Sequence, residues 1–279
     1  MNTNFNFKQI GFIFAAFIII CIGNIIIVAQ DKSDRNEFCN YNNWSNGDKV
    51  SAKDMRETVI SAPNLLSVDG KKNGGISVIG ENRSDVLVRA CIQAWANSEE
   101  SAQKIVRDIK IETGSSVYAS NTPDNSNWGV TFEVRVPLRT NLKLFAHNGG
   151  ITIKNVDGNI EFETENGGVG LANLAGDVKG KTRNGGVSVK LSRTSWNGNG
   201  LDVETRNGGV SIKMDENYAA NIETGTVNGG FSSEINELKI EKKDGERNSW
   251  RNKQINKSIN GGGANIRVMT TNGGITIRK

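Results

Sequence analysis

One tripeptide governs what this chain can fold into. Asn-Gly-Gly occurs as Asn148, Gly149, Gly150; Asn166, Gly167, Gly168; Asn184, Gly185, Gly186; Asn207, Gly208, Gly209; Asn228, Gly229, Gly230; and Asn272, Gly273, Gly274. An earlier copy begins at Asn73 and a variant at Asn260. The first three main copies lie 18 residues apart, and gaps of 23, 21 and 44 follow. Periods near 20 residues signal a repeat architecture.

The flanks repeat with the turn. Six residues before each Asn stands Leu142, Ile160, Val178, Leu201, Ile222 or Ile266. Two before it stands Thr164, Thr182, Thr205, Thr226 or Thr270, with Ala146 the exception. After the second Gly come Ile151, Val169, Val187, Val210, Phe231 and Ile275, and two further on Ile153, Leu171, Val189, Ile212 and Ile277, with Ser233 breaking the series. Apolar residues two apart with polar ones between are the signature of strands buried on one face. Asn tolerates left-handed backbone and Gly adopts positive φ without penalty, so the tripeptide is expected to turn the chain by those conformations. The same turn would serve a hairpin. Repetition of turn, Thr and apolar slots together favours an all-β, β-helix-like solenoid of stacked rungs over a meandering sandwich of hairpins.

With 32 Gly, 3 Pro and 6% aromatic residues, the composition agrees with many tight turns. From Ile10 to Ala29 runs an apolar segment behind Lys8, read as a signal peptide cleaved near Ala29 or, retained, as a signal anchor. Removing Lys8 with the leader leaves 33 basic against 30 acidic residues, which implies no strong electrostatic partner and no nucleic acid. Cys39 and Cys91 then remain, and in an oxidising compartment they are most simply a disulfide, the alternative being two buried thiols.

The expected organisation is a leader over 1–29, an irregular polar lead-in over 30–62, an N-terminal β region with a capping role over 63–140, and the Asn-Gly-Gly repeats over 141–279. Trp44 is expected to pack over an open end, with sugar binding as its alternative. Ser98 to Asp108 is the one expected helix, with Ser98 as cap and Glu99 and Glu100 suited to the helix N-terminus. The last repeat runs to Lys279, leaving an end strand exposed.

Candidate chemistry is sparse. The single His147 occupies a slot that holds Glu165, Arg183, Arg206, Val227 and Thr271 elsewhere, so it reads as surface. Two Cys and one His are too few for a metal site, and the Gly-rich turns lack the Lys-Ser/Thr of a phosphate loop. Neither a metal nor another cofactor is expected. Lys154, Lys190, Lys213 and Arg278 recur at one outward slot, an expected wet face with like charges kept off neighbouring rungs, or a stripe for an acidic glycan. Between Lys239 and Lys257 the period breaks into a basic stretch, expected as an exposed hairpin or loop, in which Lys242, Lys243, Arg247 and Arg251 are candidate anion contacts.

The segments LKLFAHNGGITIKNVDGNIEFETENGGVGLANLAGDVKGKTRNGGVSVKL, LDVETRNGGVSI, IETGTVNGGF and IRVMTTNGGITI resemble the bacterial putative-adhesin family, also called DUF4097. The resemblance is closest from about Asn141 to Lys279 and brings no catalytic or binding residues with it. It implies an extracytoplasmic or envelope-associated β-solenoid. The expected function is a non-enzymatic surface interaction module for an envelope protein or surface glycan. A membrane-anchored envelope-stress component is the alternative, and a polysaccharide-cleaving enzyme a third reading.

Overall fold

Alternation of apolar and polar residues becomes strand almost wherever it occurs. The computed structural model describes residues 38–39, 47–124, 127–240 and 251–279. The chain divides into two units, Met1–Trp44 and Ser45–Lys279. In the first, only Phe38 and Cys39 are described, so Trp44 and the leader lie outside the described residues.

The second unit begins with β1 (Val50–Ser61), β2 (Leu65–Asp69), β3 (Ile76–Glu81) and β4 (Asp85–Ala96). Helix α1 (Glu99–Asp108) follows where it was expected, and the Ser98 side chain accepts from the Ser101 amide at its start. Next come β5 (Lys110–Glu112), β6 (Ser116–Ser120), β7 (Trp128–Pro137), β8 (Asn141–Ala146) and β9 (Ile151–Lys154). The repeats continue as β10 (Asp157–Thr164), β11 (Val169–Ala172), β12 (Ala175–Asn184), β13 (Val187–Leu191), β14 (Gly200–Asn207) and β15 (Val210–Met214). The chain then forms β16 (Ala220–Asn228), β17 (Phe231–Ser233), β18 (Arg251–Ile259), β19 (Asn265–Asn272) and β20 (Ile275–Arg278).

Two large mixed sheets result. Strands that precede Asn-Gly-Gly, together with β5, β6 and β18, form a leading sheet, in the order β18-β16-β19-β14-β12-β10-β8-β2-β6-β5. Strands that follow it, together with β1, β4 and β7, form a trailing sheet, in the order β1-β4-β7-β3-β9-β11-β13-β15-β20-β17. Equivalent residues of successive repeats are register partners in parallel pairs: Leu142 with Ile160, Ile160 with Val178, Val178 with Leu201. One apolar cluster takes side chains from both sheets, including these residues and Ile151, Val169, Val187 and Val210. Antiparallel pairing is confined to the ends of the sheets, in β1 with β4, β4 with β7, β5 with β6 and β16 with β18.

Spatial order departs from chain order at both ends. β19 and β20 lie between β14/β15 and β16/β17, and β2 and β3 lie between β6/β7 and β8/β9. The last repeat is therefore interior, contrary to the expected exposed end strand. A second departure is β1, a twelve-residue strand within the expected irregular lead-in. Its pattern is weak because it is an edge strand and only half-buried. It is tied down by Arg56, whose guanidinium donates to the carbonyls of Ile109 and, at 2.8 Å, Val106 at the end of α1. Within the stretch expected as an exposed hairpin or loop, residues 251–259 form β18, which pairs antiparallel with β16 at the edge of the leading sheet.

Candidate functional site

The Asn-Gly-Gly edge, where the two sheets join, is built by close stacking. Apart from Gly273 at φ 158°, no residue of the six main tripeptides has positive φ, which corrects the expected conformation. Left-handed Asn occurs instead at other turns, as Asn155, Asn173 and Asn260. The first Gly is demanded by proximity: a Cβ on Gly149, Gly167, Gly185, Gly208 or Gly273 would lie 2.0–2.1 Å from a carbonyl oxygen of the neighbouring turn. No side chain fits there, because backbone atoms fixed in a sheet do not yield. The second Gly is less constrained, since a Cβ on Gly168, Gly186, Gly209 or Gly274 would meet its nearest atom at 3.3–3.6 Å and one on Gly230 would meet nothing within 4 Å.

The flanking polar residues complete this edge. Each Asn side-chain amide donates to the Asn oxygen of the next turn, in the unbroken series Asn148 to Asn73, Asn166 to Asn148, Asn184 to Asn166, Asn207 to Asn184, Asn272 to Asn207 and Asn228 to Asn272, at 2.8–3.1 Å. Behind it the buried Thr hydroxyls donate to the carbonyl of the first Gly one turn away: Thr164 to Gly149, Thr182 to Gly167, Thr205 to Gly185, Thr270 to Gly208 and Thr226 to Gly273, at 2.7–2.8 Å. The Thr column thereby satisfies carbonyls that a buried edge would otherwise leave unpaired.

Along the central row on the outer face of the leading sheet the charges alternate, while nearer the turn Arg183 stands beside Arg206. Lys143, Glu161, Lys179, Asp202, Arg267 and Glu223 are successive register partners. Arg267 pairs with Asp202 at 2.7 Å, Glu204 at 2.5 Å and Glu223 at 3.4 Å. Its pKa lies above the ordinary value: burial acts to lower it, and the hydrogen bonds to Asp202 and Glu204 outweigh that effect. A groove of about 470 Å³ runs over this face between Lys143, Glu161, Glu163, Lys179 and Lys181. Within it Lys181 pairs with Glu163 at 3.3 Å.

The outer face of the trailing sheet is different. Thr152, Gly170, Ser188, Ser211, Thr276 and Ser232 form one row of register partners. Beside it runs Lys154, Ala172, Lys190, Lys213 and Arg278. Lys190, Lys213 and Arg278 thus stand on three adjacent strands, about 4.8 Å apart along the sheet. Like charges do sit on neighbouring strands here, contrary to expectation. Nearer β1 the same face is acid-balanced: Arg89, only 2% exposed, pairs with Glu57 at 2.8 Å and Glu133 at 3.1 Å. Burial acts to lower the Arg89 pKa, and these two carboxylates raise it overall.

Cys39 and Cys91 are joined in a disulfide, as expected. His147 is exposed, its amide donating to the Lys71 carbonyl. Lys242, Lys243 and Arg247 lie outside the described residues, while Arg251 opens β18 with its backbone opposite Asn228. Among the described residues no group of three or more His, Cys, Asp or Glu is placed to hold a metal ion. Nor is any helix among them long and apolar enough to cross a membrane.

No protein-family model matches the sequence, and no curated protein does. Among solved structures, the chain is similar to a putative cell adhesion protein from Clostridium sporogenes, with 10% identity and a TM-score of 0.44 over 81% of this chain and 99% of that one. It is also similar to a putative adhesin from Bacteroides fragilis, at 11% identity and a TM-score of 0.31 over 81% and 96% of the two chains. A putative lipid binding protein from Parabacteroides distasonis is similar at 9% identity and a TM-score of 0.27, over 81% and 97%.

Proposed function

We propose that this chain is an exported, non-enzymatic interaction module of the cell envelope or surface. Its two sheets are the walls of a β-solenoid, each rung a leading strand, an Asn-Gly-Gly turn and a trailing strand, and its flat outer faces meet the partner. The observation that carries this reading is the unbroken Asn ladder from Asn73 to Asn228, beside which equivalent outward side chains stand in rows of register partners. Rows at the regular spacing of a sheet suit repeated contacts with an extended partner. The Cys39–Cys91 disulfide supports an oxidising, extracytoplasmic compartment.

The test is to express the full chain in a bacterium with its leader, sequence the mature N-terminus, and measure binding of the purified protein to envelope preparations. A start near Asp31, saturable binding and unchanged length of acidic polysaccharides after incubation are the expected results. Retention in the cytoplasm with reduced cysteines would overturn the export reading. Shortening of a polysaccharide would overturn the non-enzymatic one.

A further inference from the structure

The trailing sheet carries the charge pattern that a partner would explain. On β9, β11, β13, β15 and β20 the cation row is Lys154, Ala172, Lys190, Lys213 and Arg278, with no carboxylate among them; the row ends at Glu234, which follows Ser233 beside Arg278 and whose carboxylate accepts from the Lys279 amide. Lys190, Lys213 and Arg278 are exposed, and none is in an ion pair with a described residue. Like charges directly opposite each other on neighbouring strands destabilise a sheet. The central row of the leading sheet avoids that cost by alternation, with Arg183 beside Arg206 near the turn as a single like-charge pair, whereas here three cations stand in succession.

The row is also a product of the out-of-order strand. Placed by chain order, β17 would follow β15, bringing Ser233 and Glu234 toward Lys213. Intercalation of β20 brings Arg278 there instead.

We propose that this face docks a linear carboxylated polysaccharide lying across the strands, its carboxylates on Lys190, Lys213 and Arg278. The inference rests on the interaction-module reading and gives that module a binding surface. Three features favour this occupant. The cation spacing of about 4.8 Å is comparable to the length of one sugar residue in an extended glycan. Gly170, Ala172, Ser188 and Ser211 raise nothing bulky above the sheet, so a chain of rings can lie flush. The Ser and Thr hydroxyls beside the cations can donate to and accept from ring hydroxyls, whereas aromatic residues for stacking bases are absent from these rows.

The experiment measures binding of the full mature chain to polygalacturonate, to its fully methyl-esterified neutral form and to polyphosphate, with thermal unfolding to verify each variant. Wild type is expected to bind polygalacturonate, to release it with added salt as screening increases, and to ignore the neutral form. The variant Lys190→Ser/Lys213→Ser/Arg278→Ser should lose about tenfold in affinity, while Lys143→Ser/Lys179→Ser/Lys181→Ser, with the same change in net charge on the other sheet, should stay within about twofold. Equal losses in the two variants, no binding by wild type, or binding to polyphosphate alone would each overturn the proposal. Envelope binding that survives the first variant would sink this assignment and leave the interaction-module reading standing. Wild type that binds polygalacturonate but no envelope preparation would do the reverse.

Discussion

The two outer faces use one backbone geometry for opposite electrostatic ends. In the row from Lys143 to Glu223 on the leading sheet, Lys179 and Arg267 each have an acid on both neighbouring strands and Lys143 has one on β10, and Arg267 holds both neighbours. On the trailing sheet Lys190, Lys213 and Arg278 repeat one sign over three strands. The strands are spaced alike, so the difference lies in side chains alone. A regular sheet is a ruler; what is written at its divisions decides whether a face is self-satisfied or open to a partner.

The largest expected effect removes the common spacing on which the comparison depends. In Gly185→Ala the new Cβ would lie 2.0 Å from the Gly167 oxygen and 2.4 Å from its carbon, so denaturant unfolding should show a loss of more than about 3 kcal/mol. Gly230→Ala, with nothing within 4 Å, should stay within about 0.5 kcal/mol of wild type. Equal effects at the two sites would show that the turns are not stacked as closely as described.

Charge reversal at the middle of each row sharpens the contrast. Arg267→Glu would put an acid between Asp202 and Glu223 on the half-buried leading face, and should cost about 1–3 kcal/mol in the same assay. Thr205→Val, which deletes the hydroxyl donated to the Gly185 carbonyl beneath both faces, should cost about 1 kcal/mol. Lys213→Glu should be the smallest change and of opposite sign, stabilising by about 0.5 kcal/mol as an anion enters between Lys190 and Arg278. If Lys213→Glu and Arg267→Glu destabilise equally, the two faces are not electrostatically distinct.

Much of this was legible in the residues. Aligning the Asn-Gly-Gly copies already puts Leu142, Ile160, Val178 and Leu201 in one column and the Thr residues in another, and those columns are buried side by side. The helix was visible because Ser98, Glu99 and Glu100 mark its start, and the disulfide because Cys39 and Cys91 are the pair left behind the leader. Strand β1 was hidden by its half-exposed edge position, where apolar alternation is not enforced. The reason for the first Gly was also misread, since φ preference and backbone proximity leave the same residue in a sequence. Spatial order was hidden because spacing reports only chain order. One clue existed: in chain order Asp202, Glu223 and Arg267 place two acids together, and only moving Arg267 between them restores alternation. For the candidate surface, single Lys and Arg slots were visible, but the run of three depends on where β20 inserts.

The intercalated pair β19 and β20 also constrains how the molecule is assembled and how it resists force. Both of its neighbours, residues 200–214 and 220–233, precede it in synthesis, so the slot between them stays vacant until residues 265–278 have left the ribosome. Truncation before that point would leave a gap inside each sheet rather than a narrower sheet. Tension applied at Lys279 would have to drag this pair out from between two strands in each sheet, so its hydrogen bonds would share the load instead of parting one by one.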